Sequence, residues 1–310
     1  MPSKQAEAVK SWWGNVAALP QMSLDDMRNS NEEWAKLTAE PGGVDYLETD
    51  AGGAPAMWIV PKGCAEDRVI LCAHGGGYVG GSMYTHRKMF GHLAKAIGCR
   101  ALNLHYRRTP EHAFPAQLDD GLAAYRWLLS EGIEADHIAL AGDSAGGGLV
   151  LGALLRIRDE RLPAPAAAMT LSAWTDMELS GGSYQSNREK DVLFRKETVG
   201  QLAGMFLGED GDRRHPYASP LYADLAGLPP IYMQAGGDEG LLDDSRMFAE
   251  RAKKAGVDIR IDVFPEMHHT FQMAAGRAPE ADDAIGKLAD WARPKLGLAN
   301  AARARAAKSA

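Results

Sequence analysis

Gly142-Asp143-Ser144-Ala145-Gly146 stands between an apolar run, Ile138 to Ala141, and a stretch rich in Gly, Leu and Val. A serine held on a tight strand-to-helix turn must take a strained backbone, and small neighbours let the strand and the helix approach. Gly142, Gly146, Gly147 and Gly148 are those neighbours. A helix starting here points its N-terminal amides at the serine, so the amide of Ala145 can donate to an oxyanion as it develops. A Gly-rich turn before a packed helix would read the same in isolation, and the flanking sequence decides between the two.

Outward from this turn the chain alternates short apolar runs with longer helical patterns, the signature of βαβ units and a mostly parallel sheet. The runs are Val69 to Ala73, Ala101 to Tyr106, His137 to Ala141, Ala166 to Ser172, Ile231 to Ala235 and Ile259 to Phe264. Helical patterns fall at Thr85 to Ile97, Pro115 to Ser130, Gly146 to Arg158, Leu242 to Ala255 and Pro279 to Pro294. Upstream, Val44 to Thr49 and Met57 to Val60 predict a hairpin around Ala51-Gly52-Gly53. Gln5 to about Leu37 reads as one helical stretch, with Trp12, Trp13, Val16, Met22, Leu24, Met27 and Trp34 as its apolar positions. The fold class is α/β, a mostly parallel central sheet flanked by helices. The segment from Gly181 to about Gly227 is helix-prone, has no strand of its own, and sits where a lid would be inserted. The expected organisation is N-terminal cap helices over 1–43, a catalytic domain over 44–296 with a cap insertion at about 181–227, and a frayed tail over 297–310.

Two further stretches carry chemistry. His74-Gly75-Gly76-Gly77-Tyr78 follows the run Val69 to Ala73, and its consecutive glycines leave backbone amides free to stabilise a tetrahedral oxyanion. A phosphate-cradling loop would need a G-K-[ST] sequel or a dinucleotide spacing, and neither is present. A serine hydroxyl is a weak nucleophile until a histidine, itself held by a carboxylate, takes its proton. In the chain order serine, acid, histidine, the histidine belongs to the loop after the last strand, where His268 and His269 stand side by side. The acid belongs to Gly236-Gly237-Asp238-Glu239-Gly240, where either carboxylate could serve.

Composition narrows the class. The chain has 310 residues, 45% of them hydrophobic, enough for a large core without disulfide or metal support. A formal charge of -7 argues against a phosphate-backbone binder on electrostatic grounds, so nucleic acid is not an expected partner. Cys64, Cys72 and Cys99 form no C-x-x-C pair, which suits reduced thiols and a cytoplasmic setting. No segment reaches the ~18 apolar residues of a membrane span, and no apolar run near Met1 resembles a signal peptide.

HGGGY, GDSAGG and a C-terminal histidine, taken together, resemble the hormone-sensitive-lipase-like branch of the α/β-hydrolases. That branch includes bacterial short-chain carboxylesterases and monoterpene ε-lactone hydrolases. Tyr106-Arg107-Arg108-Thr109-Pro110-Glu111-His112-Ala113-Phe114-Pro115-Ala116 is similar to its Y-R-L-A-P-E-H-x-F-P-A stretch, and Leu171-Ser172-Ala173-Trp174-Thr175-Asp176 to its L-S-P-W-T-D segment. The resemblance implies the α/β-hydrolase fold, with a two-part cap over an acyl pocket. It selects His269, because M-x-H-x-F fits Met267 to Phe271. A gapless match of D-P-L-x-D-E onto Glu239 to Asp244 selects Glu239, with Asp238 as runner-up and Gly240 where proline is common. The implied chemistry is hydrolysis of short-to-medium acyl esters through an acyl-enzyme on Ser144, with His269 as base, Glu239 as acid, and the amides of Gly75, Gly76 and Ala145 as oxyanion donors. Neither metal nor organic cofactor is required, since the serine and histidine generate their own nucleophile. Trp12, Trp13, Trp174, Met205 and Phe206 are candidates for the pocket wall, and Asp143 for a structural part in the turn. The expected partner is a small-molecule ester, with a homodimer possible. The rival readings are a lactone hydrolase or dedicated metabolite esterase with the same residues, and a binding protein on this fold. A pure binder would have no reason to keep the base.

Overall fold

The computed structural model describes residues 1–17, 23–208 and 210–299. Eight strands form one sheet: β1 (Val44–Asp50), β2 (Pro55–Pro61), β3 (Ala65–Ala73), β4 (Cys99–Leu104), β5 (Ile138–Asp143), β6 (Ala167–Leu171), β7 (Ile231–Gly236) and β8 (Ile259–Phe264). Their order is β1-β2-β4-β3-β5-β6-β7-β8. β2 runs antiparallel to both β1 and β4, and the strands from β4 to β8 are parallel. The expected hairpin is present, with Val44 opposite Pro61 and Asp50 opposite Pro55. The predicted strands lie within a few residues of the observed ones. The largest shifts are at β3, which begins at Ala65 and not Val69, and at β4, which begins at Cys99 and ends at Leu104.

Nine helices are described: α1 (Lys4–Ala17), α2 (Leu24–Asn31), α3 (Met83–Ile97), α4 (Ala116–Ser130), α5 (Ala145–Asp159), α6 (Ser183–Ser186), α7 (Lys196–Leu207), α8 (Leu242–Lys254) and α9 (Pro279–Lys295). The single helical stretch expected over Gln5 to Leu37 is α1, α2 and a short 3-10 turn, Glu32–Lys36. Met22 lies outside the described residues. The restart has a local cause, since Ser23 caps α2 by accepting a hydrogen bond from the Asp26 amide.

The strands from β3 to β7 have their central residues buried on both faces, because helices cover both sides of the sheet. One core packs α4, α5 and α8 against it, with Leu118, Leu155 and Phe248 among the buried side chains. The other packs α3 and α9, with Phe90 and Leu288. The sheet's order reverses at β3, which has β4 on one side and β5 on the other. In open α/β sheets ligands bind at such a reversal, beyond the carboxyl ends of the strands.

Between β6 and β7 the insertion contains α6, α7 and a 3-10 turn at Pro220–Tyr222, and no strand among its described residues. The expected frayed tail is corrected at its start. The Leu298 amide bonds the Arg293 carbonyl, the Arg293 guanidinium bonds the Ala299 carbonyl, and Leu298 packs against the second core. Residues 300–310 of that tail lie outside the described residues.

Candidate active site

Ser144 follows β5 directly and caps α5 with φ 52 and ψ -122, a conformation that non-glycine residues rarely adopt. The turn is tight enough that a Cβ on Gly142 would lie 2.3 Å from the Gly146 carbonyl oxygen, and one on Gly146 would lie 2.1 Å from that of Ala73. The Ser144 amide is satisfied by the Leu171 carbonyl at 2.8 Å. The strain is therefore held from both neighbouring strands, and it presents the serine at the mouth of the sheet.

β3 pairs with β5 so that Ala73 faces Gly142, which places the glycine run beside the serine turn. Asp143 joins the two: its Oδ1 accepts from the Gly75 amide at 2.9 Å, and its Oδ2 lies 3.2 Å from His86 Nε2. The Gly75 amide is therefore occupied, and Gly75 does not line the cavity. The Gly75 amide, expected as an oxyanion donor, is thus turned to Asp143 and away from the cavity. Gly76 and Gly77 both line the cavity, and their amides have no hydrogen-bond acceptor among the described residues. Ala145 opens the first turn of α5, where the helix has no carbonyl to offer its amide.

The acid and histidine loops are neighbours because Gly236 of β7 faces Phe264 of β8. His269 Nδ1 lies 2.7 Å from Glu239 Oε2, and the Gly236 amide donates to Glu239 Oε1 at 3.1 Å. Both side chains are buried. With the Nδ1 proton directed to Glu239, Nε2 is the basic nitrogen, and it is buried with no hydrogen-bond partner among the described residues. Asp238 turns the other way, bonding Lys10 at 3.1 Å with Lys190 at 3.7 Å. His268 has no carboxylate on its ring, and burial pushes its pKa down to about 3. The Thr270 amide, donating to Ser172 Oγ at 3.0 Å, ties the histidine loop to the end of β6.

A cavity of about 320 Å³ holds Ser144, His269, Gly76 and Gly77. Its walls come from α1 and α2 and the turn after them (Trp13, Met27, Asn31, Trp34) and from the insertion (Phe194, Leu202). Of the five pocket candidates only Trp13 is there. Trp174 and Phe206 are core, Phe206 stacking on Tyr78 at 3.8 Å, while Met205 is exposed and Trp12 packs beside Trp13. His86 lines the cavity unannounced, since an isolated histidine in a helical pattern carries no signal of its neighbours.

The Tyr106 to Ala116 stretch joins the glycine loop to α2. Tyr106 donates to the His74 carbonyl and stacks on the His74 ring at 4.2 Å. Glu111 receives both Nη atoms of Arg28 from α2, at 2.6 and 2.7 Å.

A family described as alpha/beta hydrolase fold matches residues 70–273. An acetyl-hydrolase from Streptomyces hygroscopicus is 38% identical over 268 residues, covering 86% of this chain and 88% of its own. An ethyl acetate hydrolase from Pseudomonas putida is 30% identical over 288 residues, covering 88% and 90%. The crystal structure of an esterase from the bacterial hormone-sensitive lipase family superposes with a TM-score of 0.93 at 44% identity, covering 96% of this chain and 99% of that one. With a strained serine, a glycine loop and a histidine–carboxylate pair gathered at one sheet reversal, the chain belongs to the α/β-hydrolase family, within its bacterial hormone-sensitive-lipase-like esterases, and is a carboxylic ester hydrolase.

Proposed function

We propose that this esterase hydrolyses short acyl esters through an acyl-enzyme on Ser144, with His269 as general base and acid and Glu239 as its partner. The observation that carries the reading is the 2.7 Å contact of Glu239 with His269 Nδ1, which leaves Nε2 unpaired in the cavity wall that also holds Ser144. His269 takes the Ser144 proton as Oγ attacks the ester carbonyl, and Glu239 stabilises the imidazolium formed. The amides of Gly76, Gly77 and Ala145 receive the negative oxygen, an interaction whose loss typically costs about 10²–10³ in kcat per donor. The alcohol leaves with the proton from His269, and water resolves the acyl-enzyme by the same route. In the proposed organisation the cap is formed by 1–43 and 181–227 over a body of 44–296. The cavity, at about 320 Å³, lies at the small end of ligand pockets, which favours short acyl chains.

Hydrolysis of p-nitrophenyl acetate, butyrate, octanoate and palmitate tests the proposal. Butyrate should exceed palmitate, Ser144→Ala should abolish turnover, and Glu239→Gln should lower kcat by about 10³–10⁴ while Asp238→Asn stays within about threefold of wild type. Full activity in Glu239→Gln would move the acid elsewhere, and a wild type inert on all four esters would leave a lactone hydrolase or a binder as the better reading. We propose with it a homodimer through the outer edge of β8, which among the described residues pairs only with β7. Sedimentation velocity decides that point, a monomer overturning it. The three unpaired cysteines support a cytoplasmic setting.

A further inference from the structure

We infer that Asp191, in the insertion, is a positioning residue for the acid and the base together. The inference rests on the triad reading above and extends it to a segment outside the sheet.

The turn that carries Glu239 finds several of its main-chain partners in the insertion. Asn187 Nδ2 donates to the carbonyl oxygens of Gly237 at 3.0 Å and Glu239 at 2.9 Å. Ser183 Oγ donates to the Gly240 carbonyl at 2.5 Å and accepts from the Asp243 amide at 3.0 Å. Asp191 Oδ2 accepts from the Gly240 amide at 2.5 Å. Its Oδ1 accepts from the amides of Leu193 at 2.7 Å and Phe194 at 3.0 Å. The Phe194 ring then stands edge-on to His269, with centroids 4.6 Å apart and planes at 79°. Ser183, Asn187 and Asp191 are all buried.

A buried carboxylate with three amide donors is a rigid junction, because each bond is charge-assisted and water cannot compete. Here the junction has two arms. One fixes the residue next to Glu239, and the other fixes the ring that packs against His269. Proline, common at position 240 in similar sequences, has no N–H to donate to Asp191, and a Cβ on Gly240 would lie 3.2 Å from Asp191 Oδ2. Asp191 touches neither reacting atom and acts through Glu239 and Phe194.

The test compares wild type, Asp191→Asn, Asp191→Ala, Glu239→Gln and the double variant Asp191→Asn/Glu239→Gln on p-nitrophenyl butyrate, with thermal melting to confirm folding. Asp191→Asn keeps the shape but sets an NH2 or a neutral oxygen against the Gly240 amide. Its kcat should fall about tenfold or more with KM within about threefold, as small misplacements of reacting groups produce. The acid limb of its kcat/KM profile should move to lower pH, because a carboxylate drawn off the ring no longer favours imidazolium. In the Glu239→Gln background the same change should cost no more than about twofold, since residues that act as a unit are not additive. Asp191→Asn keeps the test valid should Asp191→Ala melt early. An unchanged kcat, a change in KM alone, or full additivity with Glu239→Gln overturns the role. Full activity of Glu239→Gln by itself overturns the triad reading and this role with it, an outcome distinct from a crippled Glu239→Gln beside an active Asp191→Asn.

Discussion

Asp143 shares a turn with Ser144 yet turns its carboxylate towards the glycine loop, where its two oxygens meet the Gly75 amide and His86 Nε2. The other nitrogen of His86 lies 2.7 Å from Thr85 Oγ1, so the carboxylate, the imidazole and the hydroxyl form a buried chain from β5 to α3. Asp143→Ala would strand a buried amide and a ring nitrogen, each costing about 1–3 kcal/mol, and would free the loop that carries Gly76 and Gly77. The expected result is kcat lowered by about tenfold to hundredfold with little change in KM, read from steady-state kinetics beside a melting curve. The type of each site residue is legible in the sequence, because serine between glycines and histidine after a last strand each have a chemical reason. Which glycine amides face the substrate is not legible. Three identical residues in a row carry no side chain to mark direction, and only the engagement of Gly75 by Asp143 distinguishes them.

At the scale of elements, α2 is pinned across the site by one side chain. Arg28 donates to the carbonyl oxygens of Val79 and Thr109, each at 2.9 Å, and grips Glu111 with both Nη atoms. The hydrogen bonds and charge of Arg28 pull the Glu111 pKa from 4.5 to about 2. Because the folded value is the lower one, the stabilisation is fully present above pH 4.5 and is lost as pH falls towards 2. Glu111 is half-exposed, so its energetic share is small. Arg28→Ala would also leave two carbonyls without their donor, and α2 carries Met27 and Asn31 of the cavity wall. KM for p-nitrophenyl butyrate should rise severalfold with kcat nearly kept, and limited proteolysis should cut near α2 sooner than in wild type. The strands of the sheet were predictable because apolar runs bounded by Gly and Pro are what a sheet buried on both faces requires. The division of the N-terminal segment was not, since its apolar spacing runs on past the Ser23 cap that restarts the helix.

For the molecule as a whole, one sheet is shared by two cores, and the site draws from both sides. Leu155 of α5 belongs to one core and Leu288 of α9 to the other, both fully buried. Either leucine replaced by alanine should cost about 2–5 kcal/mol, seen as an earlier urea midpoint, and activity should be lost along the same curve. The α/β class and the order of the functional loops are legible because they follow from the alternation of short and long apolar periods. The cavity wall is not, for Trp13 and Leu202 are far apart in the chain and line one cavity only in the folded chain. The last loop has a further consequence in the cell. His269 follows β8, the outermost parallel strand and the last to leave the ribosome. The serine and its glycine loop are therefore translated long before the histidine. With His269 as base, the polypeptide stays chemically silent until the loop after β8 has been made, and only then can it act as an esterase.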